Sequence, residues 1–136
     1  MDYLAGVAVG LAAAGFAALS GFDRDRAFYP TLLVVIALYY ELFAAMAGSG
    51  SALAAECVGL ALFSGIAVIG FRASLWFAVA GLAGHGLFDL FRGDLIENPG
   101  VPAWWPGFCS AADLALAACL AALLVTRRTL VKPSRL

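Results

Sequence analysis

Five ionisable residues stand inside strongly apolar stretches of this chain: Glu41, Glu56, His85, Asp89 and Asp113. Together they offer one imidazole nitrogen and several carboxylate oxygens, a donor set that suits zinc, manganese or iron. His85 and Asp89 are separated by four positions, which puts both side chains on one helix face within reach of a single ion. Glu41 and Glu56 stand on either side of the short "GSGS" segment and are expected neighbours across a tight turn. Two adjacent carboxylates in a low-dielectric site cannot both stay charged, so a proton or a cation must stand between them. Arg92 follows Asp89 by three positions and is the expected partner of that carboxylate.

The elements that carry these groups follow from composition. The 136 residues are 64% hydrophobic and 12% charged, with a mean hydropathy of +0.97. A chain this short cannot bury so much apolar surface in one soluble core, so most of it must meet lipid. Five runs have the length and apolarity to cross a bilayer: 3–20, 27–48, 52–70, 73–91 and 108–126. Gly, Pro and charged residues punctuate them in "SGFDRDR", "GSGS", "FRAS" and "RGDLIENPGVPAWWPG". Because backbone groups in lipid must bond internally, each run is expected to be a helix. The expected architecture is therefore an all-α polytopic membrane protein, a bundle of five transmembrane helices forming one domain over residues 1–136. The opening "MDYL" lacks the Lys or Arg of a secretory leader, so the first run is expected to remain as a helix.

Lys and Arg set the expected orientation. With five spans, Arg24, Arg26, Arg72, Arg127, Arg128, Lys132 and Arg135 fall on one side and only Arg92 on the other, seven against one. This places the C-terminus in the cytoplasm and the N-terminus outside. At about 1.5 Å of rise per residue, all five ionisable groups then lie about 4–10 Å below the outer helix ends, above a midplane about 15 Å down. Face counting turns them inward: Ala37, Glu41, Ala44 and Gly48 share one face, Ala52, Glu56, Gly59 and Phe63 a second, and Ser74, Ala78, Gly81, His85, Asp89 and Arg92 a third. Charged groups in a bilayer rarely face lipid, so the five are expected to converge.

Other features have plainer readings. Gly6 and Gly10 form a G-x-x-x-G spacing, and Ala111, Ala115, Ala118 and Ala122 make a small-residue stripe; both favour close helix approach. Cys57, Cys109 and Cys119 lie in or beside apolar runs without a C-x-x-C pair and are expected to act as small buried hydrophobes. The stretch "NPGVPAWWPG" has three prolines and two glycines, so it cannot be helical throughout. Trp104 and Trp105 suit a membrane interface. With Arg92 and Asn98 they are also candidates for a lid or mouth over the polar layer.

The pattern H-G-x-x-D followed by N-P-G-V-P-x-W-W-P-x-F-C-x-x-x-D is carried here by His85, Gly86, Asp89, Asn98, Pro99, Gly100, Val101, Pro102, Trp104, Trp105, Pro106, Phe108, Cys109 and Asp113. It resembles a family of small bacterial integral-membrane proteins of unknown function. The resemblance covers about the last third of the chain. It implies a bacterial inner-membrane location and a motif that acts as a unit, and it carries over no activity.

Three functions fit the residues. The first is a divalent-metal site at His85, Asp89, Asp113, Glu41 and Glu56, which would act on a lipid or small amphiphile at the outer leaflet. The second is proton-coupled transport of a small solute, since buried acids and histidine mark such paths, although the inner halves of the runs hold no ionisable residue. The third is a structural or accessory subunit held by interhelical polar bonds. The lipid bilayer is the expected partner, with a homo-oligomer as a candidate assembly. The net charge of −1 and the lack of a basic patch argue against nucleic acid.

Overall fold

The computed structural model describes residues 1–130; Lys132 and Arg135, which entered the charge count, lie outside them. Five helices are present: α1 Asp2–Ser20, α2 Phe28–Met46, α3 Gly50–Arg72, α4 Leu75–Leu95 and α5 Trp105–Leu130. A 3-10 turn, Phe22–Arg24, links α1 to α2, and no strand occurs among the described residues. The architecture is an all-α bundle of five helices.

The turns sit where the sequence breaks its apolar runs. Gly21 ends α1 at φ +83° and Gly48 ends α2 at φ +66°, backbone conformations that glycine adopts without a Cβ penalty. Beyond Gly48, the Ser49 amide donates to Ala44 O at 3.0 Å and closes the last turn of α2. The Ser49 hydroxyl then accepts from the Ala52 amide at 3.3 Å and caps α3. Ser74 caps α4 in the same way, accepting from the Trp76 amide at 3.4 Å.

Four helices, α1, α2, α3 and α5, are long and apolar enough to cross a membrane on their own sequence. α4 falls short because His85, Asp89, Arg92 and Asp94 crowd its second half. It nonetheless runs antiparallel along α3 for the full length of the bundle, with Gly70 meeting Ala78 near one end and Glu56 meeting Arg92 near the other. With 21 residues α4 also has the length to cross, about 30 Å at the usual helical rise. Aliphatic side chains such as Leu4, Leu19, Val58 and Leu62 are largely exposed around the bundle, as a lipid-facing surface requires.

α4 is the hub, packing on α5, α3 and α2. α1 lies parallel to α5. A Cβ at Gly6 would stand 2.1 Å from Phe108 O, and one at Gly10 would stand 2.7 Å from Ala112 O. The G-x-x-x-G spacing thus lets α1 press onto the backbone of α5, with Ala111 and Ala115 of the small-residue stripe beside it. The half of the bundle nearer the α2–α3 turn and the α4–α5 loop holds the polar groups. The other half is a dry core that includes Leu33, Ala67, Ala78, Leu82, Leu116 and Leu120.

Candidate metal centre

Two helices supply four donors. α4 presents His85 and Asp89, and α5 presents Cys109 and Asp113, each pair four positions apart on one face. Gly86 brings the helices together: a Cβ there would lie 3.0 Å from Ser110 O and 3.1 Å from the Asp113 Cβ. All four residues are buried, and one ligand atom from each falls within 4.8 Å of the others. His85 Nδ1 lies 2.7 Å from Asp113 Oδ2 and 3.5 Å from Asp89 Oδ2. The Cys109 thiol donates weakly to the same Asp113 oxygen at 3.9 Å. Asp89 Oδ2 and Asp113 Oδ1 accept no hydrogen bond among the described residues.

Aromatic rings wall the imidazole. Phe63 meets it edge-on at 4.7 Å between centroids, with Tyr40 at 6.0 Å and Phe88 at 6.2 Å. The Tyr40 hydroxyl donates to Asp89 Oδ1 at 2.5 Å and so fixes the orientation of that carboxylate. A nitrogen, a thiol and two carboxylates converging among buried aromatic rings can hold a metal ion, and the two oxygens that accept no hydrogen bond are where such a cation would be satisfied.

A second polar group lies beside the first. Arg92 on α4 reaches across to Glu56 on α3 in a buried ion pair. The Asn98 amide, from the loop after α4, donates to Glu56 Oε1 and to Tyr40 O, both at 3.0 Å. The Arg92 guanidinium stacks 4.2 Å over the Tyr40 ring, so Tyr40 connects the two groups.

The layer expected from depth counting is present, and its internal pairing differs from expectation. His85, Asp89 and Asp113 come together. Arg92 pairs with Glu56 and not with Asp89, because the long guanidinium extends to α3 while Tyr40 occupies Asp89. Glu56 is thereby committed to Arg92 and Asn98 and does not share a cation with Glu41. Glu41 is 8% exposed, with neither carboxylate oxygen hydrogen-bonded to another side chain among the described residues. The face of α3 that carries Glu56 is turned toward Arg92 on α4.

The α4–α5 loop covers this end of α2. A Cβ at Gly100 would sit 2.0 Å from Phe43 O, so the loop backbone rests directly on the helix. Trp105 packs against Tyr39, Phe43 and Phe108, with centroids 4.9–5.5 Å away. Trp104 is 49% exposed, and its ring meets Trp105 and Phe108 edge-on at 5.6 and 5.8 Å between centroids.

Sequence reasoning missed Tyr40 and the donor role of Cys109. Of the three cysteines expected to be buried, Cys109 is, Cys119 is half-buried and Cys57 is exposed on α3; the four-residue spacing of Cys109 to Asp113 repeats that of His85 to Asp89 and was the available signal. Tyr40 carried only its adjacency to Glu41. No protein-family model, no curated protein and no solved structure matches the chain.

Proposed function

We propose that this chain is a bacterial inner-membrane protein that binds one divalent cation in the outer half of its bundle. The N-terminus would lie outside and the C-terminus in the cytoplasm, from the bias of Lys and Arg. His85, Asp89, Cys109 and Asp113 are the ligands, and the convergence of these four buried donors from two helices carries the reading. The mixed nitrogen, sulfur and oxygen set favours zinc or iron, with manganese less suited to the thiol. Tyr40 orients Asp89, while Phe63 and Phe88 limit water around His85. Such a cation would supply Lewis acidity to an oxygen of a lipid or small amphiphile entering from the outer leaflet.

The dry core beneath the cluster speaks against the transport reading. Leu82 lies one turn beyond His85, Leu116 lies one turn beyond Asp113, and both belong to a core cluster that holds no Asp, Glu, His, Lys or Arg. A structural reading draws support from one observation. Glu56, Arg92 and Asn98 satisfy one another and join α3, α4 and the loop without a ligand.

Elemental analysis of protein purified without chelator tests the proposal. Stoichiometric metal is expected in the wild type and its loss in Asp113→Ala and His85→Ala, with helical circular dichroism retained. Metal-free wild-type protein that keeps its full stability in chelator would refute it and leave the structural reading.

A further inference from the structure

Three chain segments meet at the end of the bundle opposite the metal centre: the α1–α2 link, the α3–α4 junction and the last turns of α5. Helices of alternating direction return there, so Arg24, Arg26, Arg72 and Arg127 come to one end from distant parts of the sequence. Asp23 and Asp25 are the acids of these segments among the described residues. None of the four arginines forms an ion pair among the described residues.

Main-chain carbonyls hold two of the guanidiniums instead. Arg26 donates from Nε to Phe71 O at 2.5 Å and from Nη2 to Gly70 O at 3.5 Å, at the end of α3. Arg127 donates from Nη2 to Asp23 O at 3.1 Å. These bonds fix where each group sits and leave its charge unbalanced. A guanidinium has five N–H donors, so both retain others. Arg26 and Arg127 line a single cleft of about 360 Å³, whose other walls include Ser74, Leu75, Trp76 and Leu124. Its volume lies within the roughly 300–1,000 Å³ typical of small-molecule sites. Trp76, 36% exposed in the first turn of α4, suits the level at which lipid headgroups begin.

The cleft therefore combines two fixed cations with apolar walls at the helix ends. The sign of the charge rules out a metal cation. An acidic soluble partner matches the charge but has to displace lipid from Leu75, Trp76 and Leu124. A zwitterionic lipid brings its own ammonium to a place that already holds two guanidiniums. A phosphodiester with net negative charge and a hydrocarbon chain meets both features, because arginine matches phosphate geometry and the chain covers the apolar walls.

We propose that this cleft binds one anionic phospholipid from the adjoining leaflet, with Arg26 and Arg127 holding its phosphate. The site lies at the other end of the bundle from the metal centre and does not depend on it. Charge supplies the selectivity, and the walls of Leu75, Trp76 and Leu124 supply the rest of the contact.

Native mass spectrometry of protein released from nanodiscs tests this. The nanodiscs hold equal amounts of phosphatidylglycerol and phosphatidylcholine with the same acyl chains. One phosphatidylglycerol per chain is expected to be retained, in about tenfold preference to phosphatidylcholine. Arg26→Gln and Arg127→Gln should each lower its retention by about tenfold, the loss of a charge-assisted hydrogen bond, with helical circular dichroism retained. Arg24→Gln removes the same charge at the same end of the bundle but does not line the cleft, and should leave retention unchanged. Millimolar glycerol phosphate, which carries the phosphate without the chain, should not displace the lipid. Equal retention of the two lipids, undiminished retention in Arg127→Gln, or an equal loss in Arg24→Gln, the mark of surface charge alone, would overturn the proposal. Displacement by glycerol phosphate would also overturn it, in favour of a site for soluble phosphates.

Discussion

Replacing Glu56 by alanine removes the acid that holds Arg92. Both side chains are essentially buried, with 2–3% of their surface exposed, so the guanidinium left behind has no water to turn to. Removing one partner of a buried ion pair costs about 3–5 kcal/mol, most of it from the stranded charge. Asn98 also loses its contact with Glu56 Oε1, which adds about 1 kcal/mol. The expected sum is about 4–6 kcal/mol, a change in the unfolding equilibrium of roughly three to four orders of magnitude. Arg92→Met combined with Glu56→Leu removes both charges and fills the space with apolar groups. That double variant is expected to lose much less than Glu56→Ala, because no charge remains stranded. Reversible unfolding in bicelles by steric trapping would give the single and double variants on one scale. A Glu56→Ala cost below about 1 kcal/mol, or a double variant worse than the single, would refute the reasoning.

Three further outcomes follow from particular contacts. Tyr40→Phe deletes the hydroxyl that orients Asp89 and should weaken metal binding by about 10–100-fold, read by competition with a chelating dye, while the metal-to-protein ratio at saturation stays the same. Gly6→Leu places a side chain where a Cβ already stands 2.1 Å from the Phe108 carbonyl; α1 should separate from α5, with a loss of thermal stability well beyond that of Gly15→Leu, where a Cβ meets nothing within 4 Å. Gly100→Ala drives a methyl into Phe43 O, so the loop should lift, Asn98 should release Glu56, and added protease should cut residues 96–104 faster than in the wild type.

The helices were legible in sequence because lipid leaves the backbone one economical choice. Apolar length, glycine at Gly21 and Gly48, and serine at Ser49 and Ser74 mark the ends to within a few residues. The common depth of Glu41, Glu56, His85, Asp89 and Asp113 was legible for the same reason. Helical rise is constant, so height can be counted along each chain segment. Height does not determine rotation, however, and rotation decides partners. Arg92 lies three positions from Asp89, yet its long side chain reaches Glu56 on another helix while Tyr40 takes Asp89. Cys109 reads as one more apolar residue until Gly86 lets α5 approach α4 and brings its sulfur beside Asp113 and His85. Glu41 and Glu56 lie in the same half of the bundle on either side of the turn, but α3 turns Glu56 onto Arg92, while neither Glu41 oxygen finds a hydrogen-bond partner among the described residues. The sequence by itself determined the membrane habit, the helix ends and the polar layer, because these depend on local apolarity and a fixed rise per residue. Which groups within that layer touch was decided only by the tertiary structure, because contact depends on how closely the helix backbones pack and on which way each face is turned.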